Sequence, residues 1–174
     1  MQLWHTLRNT NRWPWCSYNM FAYRKRARAW QLRVRLITGD GQQVGPADPW
    51  GLLPMEFFRV VSTLERIFFT EQDHAAREEF CREVLARLND RPWRGWDEVK
   101  AALAPPAGQR FAAMELYLVE VDFDQCDPSD RTYVVSAELL HRHDPSAVAA
   151  ELPQPQWRFV AECDPSPQPQ YQEN

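Results

Sequence analysis

Apolar and polar residues alternate along Trp30–Ile37, with Trp30, Leu32, Val34 and Leu36 on one side and Gln31, Arg33 and Arg35 on the other. A period of two belongs to an extended strand, whose successive side chains point to opposite faces. The pattern predicts a half-buried strand with its apolar face on the core and its arginine face towards water. Gly39, Gly41, Gly45 and Gly51 crowd the stretch that follows, TGDGQQVGPADPWG. That stretch predicts a tight turn and then an irregular connector.

From Pro54 the period becomes helical. Proline suits a first helical position, where the N–H would have no partner. Phe57, Val60, Val61, Leu64, Ile67 and Phe68 then recur at helical spacing to about Phe69. TEQD, residues 70–73, is a capping pattern for a second helix. Ala76, Phe80, Val84 and Leu88 give that helix one apolar stripe, and Asn89 ends it. WDEVKAAL, residues 96–103, predicts a third helix with Asp97 and Glu98 at its positive end. Pro105 and Pro106 stop it.

Period two then returns. Phe111–Phe123 is long, aromatic and β-branched. Thr132–Leu140 alternates with Tyr133, Val135, Ala137 and Leu139 facing one way, and Gln156–Cys163 alternates with Trp157, Phe159 and Ala161 inward. QCDPSD between the first two reads as a hairpin-like turn. Helices and strands are segregated along the chain, which argues for α+β and against a parallel α/β sheet. The expectation is an antiparallel sheet of about four strands, the amino-terminal strand joining a carboxy-terminal three-stranded meander, packed on a layer of about three helices. Residues 1–163 would form this single domain. The tail 164–174, DPSPQPQYQEN, is rich in Pro and Gln with little to bury, and is predicted to be disordered.

Composition adds limits. The chain has 174 residues, 44% of them hydrophobic, enough for one buried core. It has no run of about 18 apolar residues, so no helical membrane span is expected. The start, MQLWHTLRNTNRW, lacks the apolar stretch of a secretory signal. Cys16, Cys81, Cys126 and Cys163 lie far apart without a CxxC pair, which predicts reduced thiols rather than a disulfide framework. A cytoplasmic location is the default expectation.

Charge is the feature that changes the picture. Residues 1–36 hold eight bases and no acids (+8), residues 37–114 nine bases and twelve acids (−3), and residues 115–174 three bases and twelve acids (−9), for a net −4. Such asymmetry points to a charged partner. Eighteen of the twenty basic residues are Arg, a bias that weakens any single Arg as a sign of phosphate contact.

Five candidate surfaces follow. Trp13, Trp15, Tyr18, Tyr23, Arg24, Lys25, Arg26 and Arg28 combine rings for base stacking with cations for phosphates, as RNA- and DNA-binding surfaces do. The competing reading packs those rings on the core. In VEVDFDQCDPSD, Glu120, Asp122 and Asp124 would share one strand face, with Asp127 and Asp130 extending the row into the turn. Like charges so placed repel, so a row of them suits a cationic partner or a metal better than it suits stability. Cys126, His141, His143 and Cys163 have the donor types of a tetrahedral zinc site but no recognised zinc spacing. Arg91, Trp93, Arg94 and Trp96 are residue types that anchor interfaces, or cap the helices. The glycine loop lacks the lysine and the helix of a phosphate cradle.

No nucleophile, base and orienting group converge in the sequence, and no cofactor is expected. The favoured reading is a non-enzymatic cytoplasmic binding protein. It would be an inhibitor or immunity-type factor that sets Glu120, Asp122, Asp124, Asp127 and Asp130 on the basic, nucleic-acid-binding surface of a partner such as a nuclease, a toxin or a defence complex. The alternatives are an RNA- or DNA-binding subunit acting through the amino-terminal segment, and a metal-dependent hydrolase.

Overall fold

In the computed structural model the structure describes residues 27–70, 73–90, 103–127 and 129–160, together with the short paired strands β1 (Asn11–Arg12) and β2 (Trp15–Cys16). Two long strands, β3 (Arg28–Thr38) and β5 (Phe111–Asp122), form the centre of a four-stranded antiparallel sheet. β4 (Gln43–Ala47) flanks β3, and β7 (Ser136–His143) flanks β5. The expected union of the amino-terminal strand with the later ones is present, with order β4-β3-β5-β7. Register pairs Val34 with Leu116 and Leu36 with Met114, so these share one face. Arg33 opposite Tyr117 and Arg35 opposite Glu115 share the other.

Helices cover the first face. α1 (Phe57–Glu65) runs on through a wider π-type turn, Arg66–Thr70, and α2 (His74–Asp90) follows. Val60, Leu64, Ile67 and Phe68 meet Cys81, Val84, Leu85 and Leu88 of α2 over Val34, Leu36, Met114 and Leu116. The spacing read from the sequence matches the buried stripe at Val60, Leu64, Ile67, Phe68, Val84 and Leu88, while Ala76 and Phe80 are half-buried and Cys81 and Leu85 take the inner positions on α2. Its start differs: α1 begins at Phe57, and Pro54 lies in the bend before it. Asp73, not Thr70, caps α2, its carboxylate accepting the Ala75 N–H at 2.9 Å. The described residues hold two α-helices; the expected third falls almost wholly on 91–102, outside them, and Leu103 packs on the core from irregular chain.

The opposite face departs most from expectation. Arg33 and Arg35 do not face water; they are 4% and 1% exposed. The largely irregular chain before and after β7 lies over this face, the Pro153 carbonyl accepting from Arg35, and Tyr117, Val119, Val121, Cys126 and Val134 form a second apolar cluster there. Alternation marks two faces of a strand, but it does not say whether the polar face is wet. Tyr133, Val135, Ala137 and Leu139 do pack together on this cluster. Of the expected last strand, Gln156–Cys163, the described residues form β8 (Arg158–Phe159), which pairs in parallel with β6 (Tyr133–Val134) outside the main sheet; Phe159 is 58% exposed, and Ala161 and Cys163 lie outside the described residues. An extended segment crossing a surface alternates much as a strand does.

Part of the glycine connector is also strand. β4 pairs with β3 at Val34, Leu36 and Ile37, with a register shift between Val34 and Leu36. Gly45 sits at the shift with φ +105°, and a Cβ there would lie 2.5 Å from the Val34 carbonyl oxygen. Only glycine fits that approach.

Candidate functional site

β4 stops short of the first half of β3. Among the described residues no strand lies beside Arg28–Arg33 on that side. The open edge borders a cavity of about 870 Å³. Trp30, Leu32 and Leu118 line it from the sheet, Trp50 and Phe69 from the helical side, and Phe123 from the turn after β5. Trp30 is 59% exposed, and Phe69 and Phe123 are 40% exposed each. Rings left this open in one place are unusual for a surface without a partner.

The polar wall is mostly acidic. Asp48, Glu65, Asp127 and Asp130 line the cavity together with Arg33 and Arg131, four carboxylates to two guanidinium groups. Asp48 is balanced internally, by Arg33 at 2.9 Å and Arg131 at 2.7 Å. Burial lowers the Arg33 pKa, and Asp48 opposes that shift. Asp130 pairs with Arg158 at 2.7 Å. Glu65 and Asp127 have no ion pair among the described residues.

The expected acidic row takes a different shape. β5 ends at Asp122, so Asp124 is in the turn and not on the same strand. Asp122 is 4% exposed; it accepts from Arg28 Nε at 3.1 Å, from the Asp124 N–H at 3.0 Å and from Gln125 Nε2 at 3.2 Å. It organises the turn and cannot touch a partner as a free carboxylate. Glu120 is half-buried on β5, beside Trp30 in the register. Asp124 and Asp127 are exposed. Ser129 donates its hydroxyl and its backbone N–H to Asp127, which lowers that carboxyl's pKa. Thr132 does the same for Asp130. These are turn-forming bonds, and they keep both carboxylates ionised.

The other candidates divide. Of the basic aromatic set, Arg28 is described and pairs with Asp122, and Trp15 lies in β2; Trp13, Tyr18, Tyr23, Arg24, Lys25 and Arg26 lie outside the described residues, as do Arg91, Trp93, Arg94 and Trp96. The proposed zinc donors do not assemble as a set. His141 and His143 share the helix-facing side of β7, opposite Leu116 and Met114, while Cys126 packs in the cluster on the other face. Cys163 lies outside the described residues. The residues that do meet the two histidines, His74 and Glu78, were missed. Their i, i+4 spacing on a helix was the available signal. Burial lowers the His141 pKa, with the nearby Glu78 opposing it. Burial pushes the Cys81 thiol beneath them up to about 12, so it is no thiolate at neutral pH.

No protein-family model, curated protein or solved structure matches this chain. Among the described residues no helix is long and apolar enough to cross a membrane.

Proposed function

We propose that this chain is a non-catalytic binding protein that receives an extended, cationic and apolar segment of a partner protein in the groove along the edge of β3 that no described strand covers. The supporting observation is the conjunction of a strand edge over Arg28–Arg33, which no strand among the described residues pairs with, and an apolar, acid-walled cavity. An added strand would give the edge N–H and C=O groups their ladder partners, and alternate side chains would enter the apolar floor. Glu65 and Asp127 select positive charge at the rim. An inhibitor or immunity-type factor works in this way, by occupying a basic surface that its target uses for nucleic acid. The acidic turn keeps a part in this reading through Asp127 and Asp124, without Asp122.

Two measurements test it. A synthetic peptide alternating Lys and Val, titrated into the labelled chain, should perturb Trp30, Leu32 and Phe123 resonances, and more weakly as salt rises. A matching Glu-Val peptide should not. Trp30→Glu changes an exposed side chain, so the fold persists while the perturbation is lost. Capture from the native host, followed by mass spectrometry, should give a protein retained after nuclease treatment by the wild type and not by Trp30→Glu. Equal capture by both chains, or capture that vanishes with nuclease, overturns the proposal; the second result favours the nucleic-acid reading.

A further inference from the structure

The chain has four histidines, and three of them converge on one carboxylate. α2 places His74 and Glu78 one helical turn apart, and β7 places His141 and His143 two residues apart on the face that meets α2. One donor atom from each of His74, Glu78 and His141 lies within 4.8 Å of the other two. Glu78 Oε1 is 3.1 Å from His141 Nε2, and Glu78 Oε2 is 2.6 Å from His143 Nδ1. The His74 and His141 rings stand edge to face, 5.7 Å between centroids.

One observation makes this more than a hydrogen-bonded cluster. His141 is 7% exposed, and its buried Nε2 has no hydrogen-bond partner, although the Glu78 oxygen is near. A buried ring nitrogen left unpartnered is destabilising unless something else occupies its lone pair or its proton. Phe68 packs against the same ring, so water has little access from that side. The neighbouring Arg77 is turned away, donating to the Ile67 and Phe68 carbonyls.

We propose that His74, Glu78 and His141 bind one divalent transition-metal ion of the zinc type, with His143 holding the Glu78 carboxylate in place. Two imidazoles and a carboxylate are a donor set that such ions favour. Metal–nitrogen bonds of about 2.0–2.1 Å put tetrahedral donors roughly 3.3–3.5 Å apart. The donors now lie within 4.8 Å of one another, and His74, the exposed member, has room to turn towards the other two. His74 is the exposed ligand, so the ion would enter from its side. His143 bonds to the far oxygen of Glu78, the arrangement by which an outer residue fixes a ligand's orientation. The ion would clip α2 to β7, since its ligands come from both.

The test uses the full chain without an affinity tag, stripped by chelator and titrated with zinc chloride in a calorimeter, and with cobalt chloride by visible absorption. One equivalent should bind, with a tetrahedral cobalt spectrum and a rise in melting temperature, because binding the folded state alone stabilises it. His74→Ala alters an exposed residue and keeps the fold; it should lose the rise and bind at least about tenfold more weakly. His143→Gln, a positioning change, should weaken binding by about 10–100-fold and shift the cobalt spectrum. His5→Ala should change nothing. Absence of stoichiometric uptake, or His74→Ala binding as tightly as the wild type, overturns the proposal. Neither result bears on the groove, which uses none of these residues.

Discussion

The two faces of one sheet are closed by different chemistry. On one, α1 and α2 lay Val60, Leu64, Val84 and Leu88 over Val34, Leu36, Met114 and Leu116. On the other, irregular chain covers Arg35, Glu115 and Tyr117. Arg35 donates from Nε to Glu115 Oε2 at 2.7 Å, and from Nη1 to Gln43 Oε1 at 3.2 Å and to the Pro153 carbonyl at 2.7 Å, while Nη2 lies 2.6 Å from Glu115 Oε2. Glu115 is fully buried and also accepts from Tyr117 Oη and Arg142 Nε, each at 2.7 Å. A helix satisfies its own backbone and can cover a face with methyl groups alone. Irregular chain brings carbonyls with no internal partner, and the forked donor array of a guanidinium supplies what they need. The buried arginine and its carboxylate therefore follow from the kind of chain that lies above them.

Neighbouring residues on β5 let that contrast be broken one face at a time. The largest effect is expected from Glu115→Ala, which strands Arg35 in the interior and should lower the unfolding free energy by about 3–5 kcal/mol in a denaturant titration. Replacing both partners, Arg35→Met with Glu115→Leu, should recover most of that loss. If the double variant is no more stable than Glu115→Ala alone, the ion pair is not the unit that matters. Leu116→Ala, one residue along and on the helix face, should lower stability by about 2–5 kcal/mol through the cavity it leaves, with no rescue from charge changes.

Tyr117 gives the smallest and most specific effect. Burial, and then the hydrogen bond to Glu115, raise its phenol well above the ordinary tyrosine range. The folded state holds the proton where the unfolded state releases it. This contribution is therefore complete below about pH 10 and fades as pH rises above that. Melting temperatures measured across that range should fall more steeply in the wild type than in Tyr117→Phe. The variant itself should be destabilised by about 1 kcal/mol at neutral pH, through the lost hydrogen bond. Parallel pH slopes would mean that Tyr117 ionises as freely as an exposed tyrosine.

Local pattern carried a good deal of this fold. β3 and β5 stand where period two placed them, and Val60, Leu64, Val84 and Leu88 of the stripes read on α1 and α2 are buried, while Val61, Ala76 and Phe80 are half-buried and Cys81 and Leu85 join them. Asn89, read as the end of a helix, sits one residue before it and bonds through its amide to both backbone groups of Phe111, which starts β5. The acidic stretch after β5 was legible as a charge cluster but not as a turn held by Asp122, because an alternating run of Glu and Asp looks the same whether the strand continues or bends. Trp30 was read as core on period alone; it became a groove residue because β4 is too short to reach it.

The sequence by itself determined which residues lie on the same side of each element, since rise and twist per residue are set by the local backbone. It determined that Arg33 and Arg35 share a face, that His74 and Glu78 share another, and that His141 and His143 share a third. Only the tertiary structure decided what each face meets. Whether an arginine is wet or buried, and whether three histidines from two distant segments surround one carboxylate, depends on the register of α2 against β7 and on the path of the chain before and after β7. Those are contacts between residues far apart in the chain, and no spacing within one element encodes them.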